Sequence, residues 1–159
     1  MKFQSIYGTK DILPEDEPYW SLVTGKATDV ARRFGFDQLT PPVFESTELF
    51  KRGVGEDTDI VSKEMYTWKD GEDWLTLRPE FTAGVMRAFV QNGLSSRPQP
   101  QKLYSLGPIF RRERPQKGRL CSPSKFTPGT YCRADPVADL EILLVAHTLY
   151  SEIGFRNLT

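Results

Sequence analysis

The sequence predicts an α+β domain, an antiparallel β-sheet flanked by helices. Three observations carry that prediction. Read in order, the segments are helix, strand, helix, hairpin, helix, long hairpin and helix, not the strand–helix alternation of a parallel sheet. Asp70-Gly71 separates two short aromatic-bearing runs, which is the composition of a tight hairpin. The 159 residues show no linker and no internal repeat, and they suffice for one compact domain with its own core.

Each element has a local reason. Tyr7 to Pro14 reads as an extended, turn-rich opening. From Glu15 to Phe34 the residues Tyr19, Leu22, Val23, Lys26, Val30 and Phe34 recur at helical spacing, and Gly35 caps the C-terminus. Leu39 to Phe44 is expected as a strand at an edge or interface, because Pro41 and Pro42 cannot both sit in a central ladder. Glu45 to Arg52 reads as a short helix and Gly53 to Ser62 as a polar loop. Met65 to Trp68 and Trp74 to Leu77 form the hairpin, with Asp70-Gly71 supplying positive φ angles. Tyr66, Trp68 and Trp74 are read as cross-strand and core packing. Pro79 to Gln91 is a helix opening on Pro-Glu. A long strand runs from Lys102 through Arg111, and after a basic turn the chain pairs back on itself. Asp139 to Ile153 closes as an amphipathic helix with Leu140, Leu143, Leu144 and Leu149 on its apolar side.

Composition narrows the chemistry. Twenty-one basic residues balance twenty-one acidic ones, so no global field draws the chain to nucleic acid or membrane, and any anion binding is local. Two cysteines, Cys121 and Cys132, lack CxxC spacing, and there is one histidine, His147, so no metal site is expected. His147 is read as structural. The N-terminus lacks the apolar core of a signal peptide and no run reaches membrane-spanning length, which makes the cytoplasm the default.

Against that neutral background, Phe110 to Arg119 concentrates five cationic side chains in a short segment punctuated by Pro115 and Gly118. Guanidinium forks suit phosphate or carboxylate partners. Charge runs are usually solvated faces, so it is the flanking sequence that argues for a ligand.

Those flanks resemble histidyl-tRNA synthetases. The matching segments are Gly8 to Pro14, Phe34-Gly35-Phe36 with Thr40 to Glu45, Asp59 to Tyr66, Leu77 to Gly84, and the Glu113-Arg114-Pro115-Gln116-Lys117-Gly118-Arg119 turn. They cover most of the chain in consistent order and resemble the first and second motifs of class II aminoacyl-tRNA synthetases, so the expected fold is part of that catalytic domain, occupying 1–159. A third motif and an anticodon-binding domain are expected beyond what this sequence contains. The resemblance implies an ATP-dependent ligase that activates histidine as an adenylate and passes it to tRNA(His), with Mg2+ accompanying ATP, in a homodimer. It implies that Arg111 holds the α-phosphate as the catalytic residue, that Glu113 receives the adenine amino group and that Arg119 meets the γ-phosphate. Glu80, Thr82 and Arg111 form the amino-acid-binding group, Glu80 and Thr82 meeting the substrate's α-amino group. As residues alone, Glu80 reads first as a first-turn carboxylate serving a helix dipole and only second as a ligand, and Glu113 can equally be an ion-pair partner between arginines.

One block departs from the family. Where a strand carrying a Gln and a Glu is expected, Lys125 takes the Gln position and Gly129 the Glu position. A Lys ammonium supplies only donors, whereas an imidazole N–H and an ammonium call for acceptors. Pro123 and Pro128 also remove two donors from what should be a central strand. Residues 120 to 133 keep their length between matching flanks, the trace that two compensating reading-frame changes would leave. Translating the neighbouring frames tests this, and the idea fails if no Gln- and Glu-bearing strand emerges. The expectation is therefore a histidine–tRNA ligase lineage whose isolated chain is inactive. The alternatives are a noncatalytic paralogue, such as a regulatory subunit of ATP phosphoribosyltransferase, and a dimerising structural fragment.

Overall fold

The computed structural model describes residues 3–54, 65–112, 123–133 and 135–156. The expected loop from Gly53 to Ser62 falls almost wholly outside them. The chain forms two compact units. Met1–Asp11, Thr40–Gly93 and Gly107–Lys125 build the first, and Ile12–Leu39, Leu94–Leu106 and Phe126–Thr159 the second.

In the second unit, α1 (Glu17–Arg33) begins with Pro18 and an acidic first turn, ends with Arg32 and Arg33, and stops where Gly35 turns left-handed at φ 77°. Its buried face is Ala27, Val30 and Ala31. Tyr19, Leu22 and Val23, expected to share that face, are exposed. Helix α4 (Pro136–Ile153) is capped by Asp135, whose Oδ1 accepts from the Ala138 amide at 3.1 Å, and ends at Gly154 with φ 106°. The expectation for its apolar side is corrected. Ala138, Val145 and Leu149 face the core, while Leu140, Leu143 and Leu144 are 54%, 67% and 46% exposed. The helix is apolar all round, so periodicity alone admitted two faces.

These helices pack around Phe36 and Tyr104 in one core. Tyr104 belongs to β5 (Gln101–Pro108), which lies between β1 (Asp37–Gln38) and β6 (Ser124–Tyr131). The β1–β5 pair is parallel, with Asp37 opposite Leu103 and Gln38 opposite Tyr104. This sheet thus contains a parallel pair, where an antiparallel sheet was expected. Pro128 is tolerated because β6 ends this three-stranded sheet instead of running through its centre.

The first unit holds the antiparallel sheet β2 (Phe44–Ser46), β4 (Asp73–Leu77), β3 (Thr67–Asp70), with helices α2 (Thr47–Val54) and α3 (Thr82–Gln91). Of the expected strand from Leu39 to Phe44 only Phe44, the first residue of β2, is in a strand; β1 ends at Gln38, one residue before Leu39. Pro41 and Pro42 offer carbonyls but no amides, and those carbonyls face a side chain described below. The hairpin turns on Gly71 alone, at φ 61°, as a type II′ turn requires; Asp70 keeps a negative φ. Buried Thr76 shares its hydroxyl with Thr47 at 2.8 Å and Thr67 at 2.9 Å. Trp68 meets Phe44 edge to face, whereas Trp74 is exposed opposite Lys69 and takes no part in a core. Gly84 on α3 lets Pro41 approach closely, since a Cβ there would lie 3.0 Å from the Pro41 ring.

Candidate functional site: a cationic cleft in the first unit

The site is assembled on a buried arginine. Arg78 leaves β4 with its amide bonded to the Val43 carbonyl at 2.9 Å. Its guanidinium, 4% exposed as a residue, donates from Nε to Pro108 at 3.0 Å and from Nη1 to Pro41 at 2.7 Å and Pro42 at 3.4 Å, and lies 4.7 Å from the Phe81 ring centre. Burial lowers its pKa below the ordinary guanidinium range. A cation held by carbonyls and a ring face ties three segments of the first unit into one joint. Gly107, at φ 151°, belongs to that joint: a Cβ there would stand 3.4 Å from Nη2 of Arg78.

From this joint two predicted site residues are set. The Arg78 carbonyl accepts from the Phe110 amide at 2.9 Å, and the next residue, Arg111, donates from Nε to the Pro79 carbonyl at 2.9 Å. On the other side, Glu80 precedes α3. The predicted helix start at Pro79 moves to Thr82, because the Glu80 carboxylate caps the helix from outside. Its Oε2 accepts from the Thr82 amide at 2.6 Å and its Oε1 from the Ala83 amide at 2.7 Å. Two orphan amides of the first turn are satisfied, and the carboxylate sits in the positive field of the helix end.

Glu80, Thr82, Arg111 and Lys125 all line one open cleft of about 950 Å³. Leu49 and Arg52 from α2, and Ala83, Met86, Arg87, Val90 and Gln91 from α3, complete the lining. Arg87 is engaged by Glu45 in an ion pair. Four predicted residues from three separated segments thus meet. Gly129 does not line the cleft. It lies in the second unit on β6, where a Cβ would come within 3.0–3.2 Å of the Tyr131 ring and hydroxyl. Glu113 and Arg119 lie outside the described residues. Sequence reasoning assigned nothing to Arg78, Arg52 or Arg87. A lone arginine between Leu77 and Pro79 was the available signal for Arg78, but its burial depends on partners far away in the chain.

Among the described residues, no three His, Cys, Asp or Glu side chains gather to hold a metal ion, and no helix is long and apolar enough to cross a membrane.

The fold is that of part of a class II aminoacyl-tRNA synthetase catalytic domain. The apo histidyl-tRNA synthetase of S. aureus matches it with a TM-score of 0.80 at 31% identity, over 97% of this chain and 35% of that one. A structure described as an ATP phosphoribosyltransferase regulatory subunit/histidyl-tRNA synthetase from Bacillus halodurans gives a TM-score of 0.82 at 21% identity, over 98% and 39%, a likeness of fold alone. At the level of sequence, the histidyl-tRNA synthetase family matches residues 8–159. Histidine–tRNA ligases of Dehalococcoides mccartyi and Halalkalibacterium halodurans are each 48% identical over 158 and 160 residues, covering 99% of this chain. The chain belongs to the histidyl-tRNA synthetase family and corresponds to the N-terminal part of its catalytic domain. It spans 38% and 37% of the length of those two relatives.

Proposed function

We propose that this chain carries the first and second class II motifs of a histidine–tRNA ligase, and that its cleft is where ATP meets the amino acid. One observation supports this reading above the rest: Glu80, Thr82 and Arg111 line a single cleft. In the reaction proposed, a histidine carboxylate oxygen attacks the α-phosphorus of MgATP and pyrophosphate leaves; a ribose hydroxyl at the 3′ end of tRNA(His) then attacks the acyl carbon of the adenylate, taking the histidyl group as AMP departs. Such chemistry needs positioned charge more than covalent help.

Arg111 is held by the Pro79 carbonyl through Nε and is the group to stabilise negative charge building on the α-phosphate. Glu80, fixed by two amides, keeps lone pairs for a substrate ammonium, and the Thr82 hydroxyl is the companion acceptor. Glu113 and Arg119 are proposed to take the adenine amino group and the γ-phosphate. Magnesium enters as part of the nucleotide substrate. A homodimer in the cytoplasm is the proposed setting.

Nucleotide binding provides the test. ATP affinity, measured calorimetrically, is expected to fall about tenfold or more in Arg111→Ala, the loss of a charge-assisted contact, and to weaken with added salt. An affinity unchanged by that substitution would remove the reading. The isolated chain is expected to give no histidine-dependent ATP–pyrophosphate exchange, so an exchange signal abolished by Arg111→Ala would show the chain to be sufficient by itself.

A further inference from the structure

Lys125 is a cationic side chain of the cleft that this reading leaves without a task. Four cationic residues, Arg52, Arg87, Arg111 and Lys125, line the cleft against one acidic residue, Glu80. Arg87 is answered by Glu45, and Glu80 accepts from the amides of Thr82 and Ala83. Lys125 is half-buried at the start of β6, and its ammonium makes no hydrogen bond or ion pair among the described residues. A cleft with this surplus favours an anion.

We propose that Lys125 is an anion-binding residue, and that with Arg111 it makes the cleft select a ligand carrying two adjacent phosphate groups over a dicarboxylate. The inference rests on the functional reading of the same cleft and assigns it a specificity. Two features favour a diphosphate over a single anion. The two cations come from separate segments, one following β5 and one opening β6, so they offer distinct anchor points. The fork of Arg111 suits a phosphate face, while the Lys125 ammonium acts as a compact point charge.

The experiment is a calorimetric titration of the full chain with inorganic pyrophosphate, and separately with malonate, for the parent and for Lys125→Gln, Lys125→Arg and Arg111→Ala. Thermal unfolding of each variant verifies that it is folded. The expected result is pyrophosphate binding that weakens about tenfold in Lys125→Gln and stays within about twofold in Lys125→Arg. Unchanged binding in Lys125→Gln with a loss in Arg111→Ala overturns this inference and leaves the site reading standing. Unchanged binding in both variants overturns the inference and the site reading together. Malonate bound as tightly as pyrophosphate overturns the diphosphate selectivity, and so does an absence of pyrophosphate binding by the parent chain.

Discussion

Strands β5 and β6 are each eight residues long and adjacent in one sheet, yet they stand in different relations to the core. β5 buries Leu103, Tyr104 and Ser105 in succession, each at most 7% exposed, while no residue of β6 is buried. The polar atoms of β5 are answered: the Tyr104 hydroxyl donates to Gln38 Oε1 at 3.2 Å, and the Ser105 hydroxyl to the Leu39 carbonyl at 2.6 Å. On β6 the hydroxyls of Thr127 and Thr130 are shut off from water and make no hydrogen bond among the described residues, and Pro128 brings no amide. The contrast separates forming a strand from packing one. Phe126, Thr127, Thr130 and Tyr131 favour extended backbone, which is enough to make β6, but the partners that convert an extended segment into core were gathered by β5.

The largest effects should fall on β5. Tyr104→Ala is expected to cost about 3–5 kcal/mol, the usual range for emptying a buried aromatic site. Phe126→Ala, tilted against Tyr104 at 5.8 Å but only half-buried, should cost about 1–2 kcal/mol. Urea midpoints measure both, and equal losses would erase the distinction between the strands. Next comes Arg78→Met, which withdraws the donors from Pro41 and from Pro108 at the end of β5. A destabilisation of about 2–3 kcal/mol is expected from orphaned carbonyls, and a neutral result would show that this joint is held by packing alone.

A smaller effect concerns α1 and α4, which share the core that receives Tyr104. Arg33, followed by Lys26, holds the Glu152 carboxyl below its ordinary 4.5. A depressed folded-state value means that the stability it contributes is present above 4.5 and is lost as pH falls through the lower value. Melting temperature should therefore drop on acidification below 4.5, and less so in Glu152→Gln; identical acid profiles would assign that drop to other carboxylates. The smallest change is expected from Thr127→Val, which removes an unanswered hydroxyl and should be neutral or stabilising by less than about 1 kcal/mol. A clear loss on calorimetric unfolding would mean that the hydroxyl has a partner after all.

Local chemistry made much of this fold legible. Gly35 and Gly71 announced their positive φ angles, and apolar spacing placed α1, α3 and α4 within a few residues. What escaped depended on distant partners. The Leu140, Leu143 and Leu144 side of α4 is as apolar as the side that Val145 and Leu149 bury, so spacing could not choose between them. Pro41-Pro42 marked an interrupted strand, but not that its carbonyls would receive Arg78. For the cleft, Glu80, Thr82, Arg111 and Lys125 were legible as parts of motifs, whereas Arg52 and Arg87 reach it through helix packing that no motif encodes.

The capping geometry of Glu80 has a directional consequence. With one lone pair of each oxygen spent on the amides of Thr82 and Ala83, the plane of its carboxylate is locked to the helix axis. The lone pairs left over radiate along two set bearings, so an incoming donor is met by a fixed compass and not by a swivelling arm. Shortening the stem by one methylene, as in Glu80→Asp, would pull that compass off its mount even though the charge survives.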